Sequence, residues 1–480
     1  MKLFDKLEKN LQALKKIIDS DDIVYFDFIL QNDVSAVAVY NETLADKELL
    51  GKLAITPMMQ IKDIDSVKVL LESLTMPQAE KLTDLNNLVS KITNGDAIIF
   101  IDGFNEALSV ACRNPTIRAI TEPPTSSVLK GPREGFVESF HTNVSLMRQR
   151  VKSPDLKLEK LSVGKYTSTT VGLMYISSIA NERLVDSIKE KISAINIDGV
   201  IDSSYIIKCI STKKTSMFKQ VGTTEKPDVL TAKLLEGRVG IIVEGSPIVL
   251  TAPFLFIEDF QSAEDYYVNT YRGNISRFLR LFAVVCSILL PAIFVAAQLF
   301  HLQLIPLNFL LTIVGSIKGI PLSPSVEMFV TLLIFEILNE ASVRMPKYVG
   351  IAMSVVGALV LGETAVNAGI VSTPTIMIVA ISGICLYTVP DLTETLSVLR
   401  IMFLIIAGSF GGYGIILLTA TIICYLANFD SFGVPYLSPY TPLNLNDIQD
   451  GATITFFTQM KKRPFAFKSK NQIRQGKENE

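Results

Sequence analysis

Tryptophan is absent, and histidine occurs only at His141 and His301, in opposite halves of the chain. That leaves almost nothing for a histidine-based triad or a histidine-rich metal site. The five cysteines (Cys112, Cys209, Cys286, Cys385, Cys424) form no C-x-x-C pair or short regular spacing, which argues against a disulfide framework or a zinc ribbon. No Gly-x-x-x-x-Gly-Lys or Gly-x-Gly-x-x-Gly segment is present, so the obvious phosphate-binding loops are missing. No residue pair points to a serine–lysine hydrolase. The expectation is a protein that is not an enzyme, with no cofactor, no metal and no nucleic-acid partner.

The most telling scarcity is positional. Between Leu281 and Met460 there are four basic residues (Lys318, Arg344, Lys347, Arg400) and nine acidic ones, while most of the remaining charge lies earlier. Overall composition hides this, since 19% charged and 49% apolar residues would suit one large globular protein. Split at Leu281, the chain reads as a charged soluble half followed by an all-α polytopic transmembrane domain, because lipid demands apolar side chains and internally paired backbone. Leu281 to Phe300 is an uncharged run preceded by Arg272, Arg277 and Arg280, so its start is expected on the cytoplasmic side. Further expected spans are Met328 to Leu338 with its flanks, Val349 to Gly369, Ile370 to Val389, and Leu396 to Leu426. Ile305 to Ile317 is short enough to be re-entrant or interfacial. Arg344, Lys347 and Arg400 mark cytoplasmic loops in this reading, and the tail is basic, so four or six crossings are expected. Gly408, Gly411, Gly412 and Gly414 leave open a bend in the last run. The beginning, MKLFDKLEKNLQALKK, has no apolar signal-peptide core, and the soluble half is expected to stay cytosolic.

In that half, Leu3, Leu7, Leu11, Leu14 and Ile18 form one helical stripe, read as a core-facing amphipathic helix. Strands are expected at Ser35 to Tyr40, Leu156 to Val163 and Ser168 to Ile176. Two hairpins are expected, Ala97 to Ile101 with Ala107 to Ala111, and Val239 to Val243 with Ile248 to Thr251. Helices are expected near Leu44 to Leu53, Leu82 to Ile92 and Asn181 to Ile195, and another from about Arg133, with Pro132 at its first position. The alternation predicts two cytosolic α/β subdomains. The boundaries read as 1–113 for the first, 114–134 for a proline-rich strap, 135–275 for the second, 276–445 for the transmembrane domain and 446–480 for a basic tail.

The segment Thr121-Glu122-Pro123-Pro124-Thr125-Ser126-Ser127-Val128-Leu129-Lys130-Gly131-Pro132-Arg133-Glu134-Gly135-Phe136-Val137-Glu138, followed by Asn143, Leu146, Arg148 and Arg150, resembles the signature strap of the A subunits of GerA-type spore germinant receptors. The likeness continues through Glu244-Gly245-Ser246-Pro247, Glu264-Asp265-Tyr266-Tyr267, Gly362-Glu363-Thr364-Ala365-Val366 to Ser372, and Pro435, Pro439 and Pro442. Glu264 is a mild departure, an aspartate being more usual there. The resemblance implies an oligomeric channel component in the inner spore membrane, with a transporter-like B subunit and a lipoprotein C subunit as partners. It implies that nutrient sensing belongs mainly to the B subunit, and that this chain converts sensing into cation release at the start of germination. A secondary transporter and a non-conducting signalling scaffold are the competing readings.

Two groups of residues are singled out. Lys130, Arg133, Glu134, Glu138, Arg148 and Arg150 are read as a charge network that clamps subdomains or a neighbouring subunit. In Val349 to Gly369, small residues (Gly350, Ser354, Gly357, Gly362, Ala365) form a packing face. Val356, Val360, Glu363 and Asn367 form a separate stripe, read either as one that a ring of subunits turns inward as gate and charge ring, or with Glu363 near the interface, capping or pairing at a helix end. Glu336 and Glu340, one turn apart, are weighed as further pore residues against interfacial placement beside Arg344 and Lys347. Glu327 is read as serving the start of its own helix.

Overall fold

The computed structural model describes residues 3–61, 66–74, 76, 78–113, 130–346, 349–350, 357, 360–445 and 447–476. Most of the strap, 114–129, and residues 351–356 and 358–359 of the Val349 to Gly369 segment, Val356 among them, therefore lie outside the described residues. The chain folds as two compact units. One holds Met1–Phe254, Asp430–Val434 and Phe457–Glu480, and the other holds Leu255–Phe429 and Pro435–Phe456.

The first unit contains two five-stranded sheets. Strands β1 (Ile23–Ile29), β2 (Ser35–Asn41), β3 (Ala79–Leu82), β4 (Ala97–Ile101) and β5 (Ala107–Val110) lie in the order β1-β2-β4-β5-β3. Strands β6 (Leu156–Val163), β7 (Thr169–Ile176), β8 (Gly222–Thr224), β9 (Val239–Val243) and β10 (Val249–Ala252) lie in the order β6-β7-β9-β10-β8. Add five to each strand of the first sheet and the second results, with every neighbouring pair antiparallel in both. The two subdomains share one topology, which no residue repeat announced.

Both faces of each sheet are covered, which explains why strand β4 reads AIIFI without polar alternation. Ala97, Ile99 and Ile101 pack with Leu50, Ala54, Met58 and Leu70. Their neighbours Ile98 and Phe100 point the other way, onto Leu7, Leu14, Leu88 and Ile92. The amphipathic helix Leu7–Ile17 thus packs on its own subdomain. In the second sheet the Glu182–Ser193 and Ser203–Ile210 helices cover one face, and Phe140–Arg150 with Pro227–Leu235 cover the other. A Cβ on Gly172 in β7 would stand 2.7 Å from the Phe140 ring, so this glycine gives Phe140 its seat.

Both expected hairpins are present, Ile99 pairing with Leu108 and Leu250 with Ile241. The helix expected from Arg133 instead begins at Phe140, with Ser139 as its cap. The reason is Asn143, whose Oδ1 accepts from Val137 N at 2.8 Å while its amide donates to Val137 O, holding the lead-in extended. The hairpin turn is stitched to that lead-in: Gly245, at φ +82°, donates to Glu138 O at 2.9 Å, and Ser246 Oγ donates to Asp202 Oδ1 at 2.6 Å. The basic tail is also built into this unit. Phe467 is buried under the Arg238 guanidinium, Lys470 pairs with Glu182, and Arg463 Nε donates to Leu235 O at 2.6 Å.

The second unit is helical: Thr270–Phe300, Leu307–Ile317, Pro324–Arg344, Thr373–Leu386 and Thr393–Ala427, with short helical turns between. Among the described residues two helices, Thr270–Phe300 and Pro390–Ala427, are long and apolar enough to cross a membrane. The Pro324–Arg344 helix has the length but carries Glu327, Glu336, Glu340 and Arg344, and Thr373–Leu386 has only 14 residues. Thirty-five continuous helical residues in Thr393–Ala427 would measure about 50 Å, well beyond a bilayer core of ~30 Å. The run is broken at Gly411, which takes φ +62° and ψ −150°. A Cβ there would meet the Phe300 ring at 2.8 Å, so both conformation and space require glycine.

Ala292, Ala296, Phe403 and Ala407 pack one small core and Val295, Met328, Leu332, Val379 and Leu404 another. Large apolar side chains nevertheless face outward, Ile384 and Tyr413 at 73% exposure and Ile416 at 70%. A soluble monomer rarely shows such a surface.

Candidate functional site

The strap residues divide. Lys130, Arg133, Glu134 and Glu138 are exposed, and Glu134 pairs with Arg150. Arg148 turns inward, to 2% exposure, and grips Asp22 of the other subdomain. Its Nη2 donates to Asp22 Oδ1 at 2.7 Å and its Nε to Oδ2 at 2.8 Å. Ser20 Oγ and Asn41 Nδ2 donate to the same carboxylate at 2.6 and 2.8 Å. Burial pushes the Asp22 carboxyl up, and Arg148 with these hydrogen bonds more than reverses it, holding the group below its ordinary value. Lys160 reaches Glu42 at 2.9 Å and Lys157 reaches Asp19 at 2.7 Å across the same seam. Against the burial that raises it, the ammonium groups of Lys47 and Lys160 hold Glu42 down to about 2. Arg148 therefore fastens the two sheets to each other within the chain, while Arg133, Glu134 and Glu138 stand at the surface.

In the helical unit Glu336 is engaged by Arg400, which is fully buried. Arg400 had been read as a loop marker, but it lies inside the Thr393–Ala427 helix. Its Nη1 sits 3.1 Å from Ser382 Oγ, which donates to Ser287 O at 2.9 Å, and its guanidinium lies over Phe335. Four helices thus meet around one cation, whose cost in an apolar setting is offset by the Glu336 carboxylate and the Ser382 hydroxyl. Glu340 takes a different partner, the exposed Arg344 one turn on, at 2.6 Å. Glu363 and Asn367 are both exposed, in the short helical stretch Val360–Thr364 and Ala365–Asn367. The Val360 side chain and all of Val356 lie outside the described residues.

At the foot of Thr270–Phe300, Arg277 is buried and joins the acidic–aromatic motif to the segment near Asp450. Its Nε donates to Asp265 Oδ2 at 3.2 Å, its Nη1 to Asp450 Oδ1 at 2.9 Å and Gly451 O at 2.7 Å, and its Nη2 to Tyr266 Oη at 3.0 Å. Arg280 also pairs with Asp265. Two of the three arginines counted as membrane-side charges are thus matched by carboxylates. Sequence reasoning missed Asp22, Asp450 and Arg400 as pairing centres. The available signal was a single arginine in a long apolar run, a pattern that calls for a buried acid partner. Among the described residues no group of three or more histidines, cysteines, aspartates or glutamates is placed to hold a metal.

The model of the Bacillus/Clostridium GerA spore germination protein family matches residues 9–466. Over 98% of its length the chain is 37% identical to spore germination protein KA of Bacillus subtilis (strain 168), covering 88% of that protein. It is 35% identical to the uncharacterized membrane protein YfkQ of the same strain, with 97% and 92% covered. It is 31% identical to spore germination protein GerLA of Bacillus cereus, with 98% and 99% covered. The crystal structure of the N-terminal domain of the A subunit of the Bacillus megaterium spore germinant receptor GerK3 matches 54% of this chain and 98% of its own, at 31% identity and a TM-score of 0.43.

Proposed function

The chain belongs to the GerA family of Bacillus/Clostridium spore germination proteins, and from that premise we propose that it is the A subunit of a spore germinant receptor. In this reading it is a homo-oligomeric membrane channel in the inner spore membrane. It works beside a transporter-like B subunit and a lipoprotein C subunit, and it couples nutrient sensing to cation release. The carrying observation is the family match over residues 9–466 of a chain whose second unit turns large apolar side chains outward.

Membrane topology is supported by where the chain returns. Phe254 N donates to Ser431 Oγ at 3.0 Å and Ser431 Oγ donates to Gln220 O at 2.7 Å, so segment 255–429 leaves and re-enters the same α/β unit. A soluble unit on one side of a membrane then requires an even number of crossings. The exposed Glu363 and Asn367 are the surviving candidates for a pore face formed between subunits, with Val356 and Val360 as the proposed gate. Glu336 is spent on Arg400 and Glu340 on Arg344, which favours structural roles for both. The exposed strap residues Lys130, Arg133, Glu134 and Glu138 are proposed to meet a neighbouring subunit.

The test is ion flux through purified protein in liposomes. Val360→Ala is expected to raise resting leak by widening an apolar throat, and Glu363→Gln to lower cation preference by removing a ring of charge. Absence of flux from the wild-type protein, alone and with B and C subunits and nutrient, would favour the signalling scaffold.

A further inference from the structure

Glu327 stands in the first turn of the Pro324–Arg344 helix at 1% exposure, where its charge suits the helix start, and its hydrogen bonds go to a second helix. Its Oε1 accepts from Ser372 N at 2.7 Å and from Ser372 Oγ at 2.6 Å, capping the Thr373–Leu386 helix. Thr375 Oγ1 lies 2.9 Å from the same serine hydroxyl. The second carboxylate oxygen, Oε2, is buried and has no hydrogen-bond partner among the described residues. No lysine or arginine among the described residues pairs with it, in contrast to Glu336. A bare carboxylate oxygen withdrawn from water is costly, and proteins keep such groups where a cation or proton matches them.

The backbone beside it is also interrupted. Helical turns end at Asn367, Gly369 takes φ +65°, and helix resumes only at Thr373, while Val371, Ser372 and Thr375 are buried. The connection surfaces at Ala368 and Ile370 and turns inward at Val371, which brings Ser372 and Thr375 beside Glu327. One carboxylate and two hydroxyls are hard oxygen donors carrying a single negative charge. Divalent sites gather several carboxylates, and among the described residues Glu327 belongs to no group of three or more acidic, histidine or cysteine side chains.

We propose that Glu327 Oε2, with the hydroxyl oxygens of Ser372 and Thr375, binds a monovalent alkali cation, sodium or potassium. The bound ion neutralises the buried carboxylate and pins the Thr373–Leu386 helix to the Pro324–Arg344 helix. This site does not depend on the channel reading, since it holds two helices together whether or not the protein conducts. The experiment uses the full-length protein in detergent and choline chloride, titrated with sodium or potassium chloride at constant ionic strength. A ligand selective for the folded state raises the unfolding midpoint, here by several degrees at saturation. Glu327→Gln keeps an acceptor for Ser372 and loses the charge, so its midpoint no longer responds. Glu394→Gln, exposed on another helix, responds as the wild type does. Thr375→Val needs about ten times more cation for the same rise, about the loss of one polar ligand contact. An unresponsive wild type, or a Glu327→Gln protein that responds equally, overturns the site. A response to calcium but to neither alkali ion overturns its monovalent character. Should Glu327→Gln fail to fold, the wild-type titration and Thr375→Val decide the matter.

Discussion

Replacing Asp22 by Ala removes four hydrogen bonds from one fully buried carboxylate and leaves the Arg148 charge at 2% exposure with Ser20 Oγ, 2.8 Å away, in place of an anion. Breaking a buried pair from one side costs about 3–5 kcal/mol, mostly for the stranded charge. At about 2–4 °C per kcal/mol for domains of this size, the unfolding midpoint should fall by roughly 6–20 °C. The double variant Asp22→Leu, Arg148→Met separates stranded charge from lost attraction, because apolar replacement of both partners is often neutral. It should recover most of the loss. The chain has no tryptophan to report unfolding, but Cys112 is fully buried in the first subdomain core. With Cys209, Cys286, Cys385 and Cys424 changed to Ser, labelling of Cys112 by a thiol-reactive fluorophore during heating gives the midpoint. A single variant within about 2 °C of its parent, or a double variant no better than the single, would refute the claim that this pair fastens the sheets.

Acid should loosen the same seam. Asp22 and Glu42 both titrate below their ordinary values in the folded protein, so their contribution is present above about pH 4 and is lost as pH falls toward 2. The Cys112 midpoint should be flat from pH 5 to 7 and drop below pH 4, less steeply in Asp22→Asn; an equal slope in both would sink that account. Arg400→Glu should abolish recovery of monodisperse protein, and adding Glu336→Arg should restore part of it; a swap no better than the single change would deny the pairing. Phe467→Ala removes a buried anchor of the tail, a change that costs about 3–5 kcal/mol in a core. Trypsin should then cut at Lys468 and Lys470 at least ten times faster, and an unchanged rate would mean that the tail is held by other contacts.

Sequence alone set out the elements whose information is local. A stripe repeating every three or four residues placed the Leu7–Ile17 helix, period and turn residues placed both hairpins, and the scarcity of basic residues between Leu281 and Met460 separated the apolar helical half from the charged one. The strap and hairpin-turn motifs carried the family. What needed the tertiary structure was every question of which group answers which. Arg148 meets Asp22 across 126 residues, Arg400 meets Glu336 across 64, and Arg277 meets Asp450 across 173. A lone arginine in an apolar run signals that a buried acid answers it, but no window of sequence names which acid, because the partner is set only when the chain closes around the charge. The common order of the two sheets was hidden for a similar reason: many sequences satisfy one set of strand pairings, so a repeated topology leaves no repeated residues. Asn143 shows the same limit at short range. Its side chain, by pairing with the Val137 backbone, cancels a helix start that Pro132 and Arg133 seemed to offer, and only the folded geometry brings the two together.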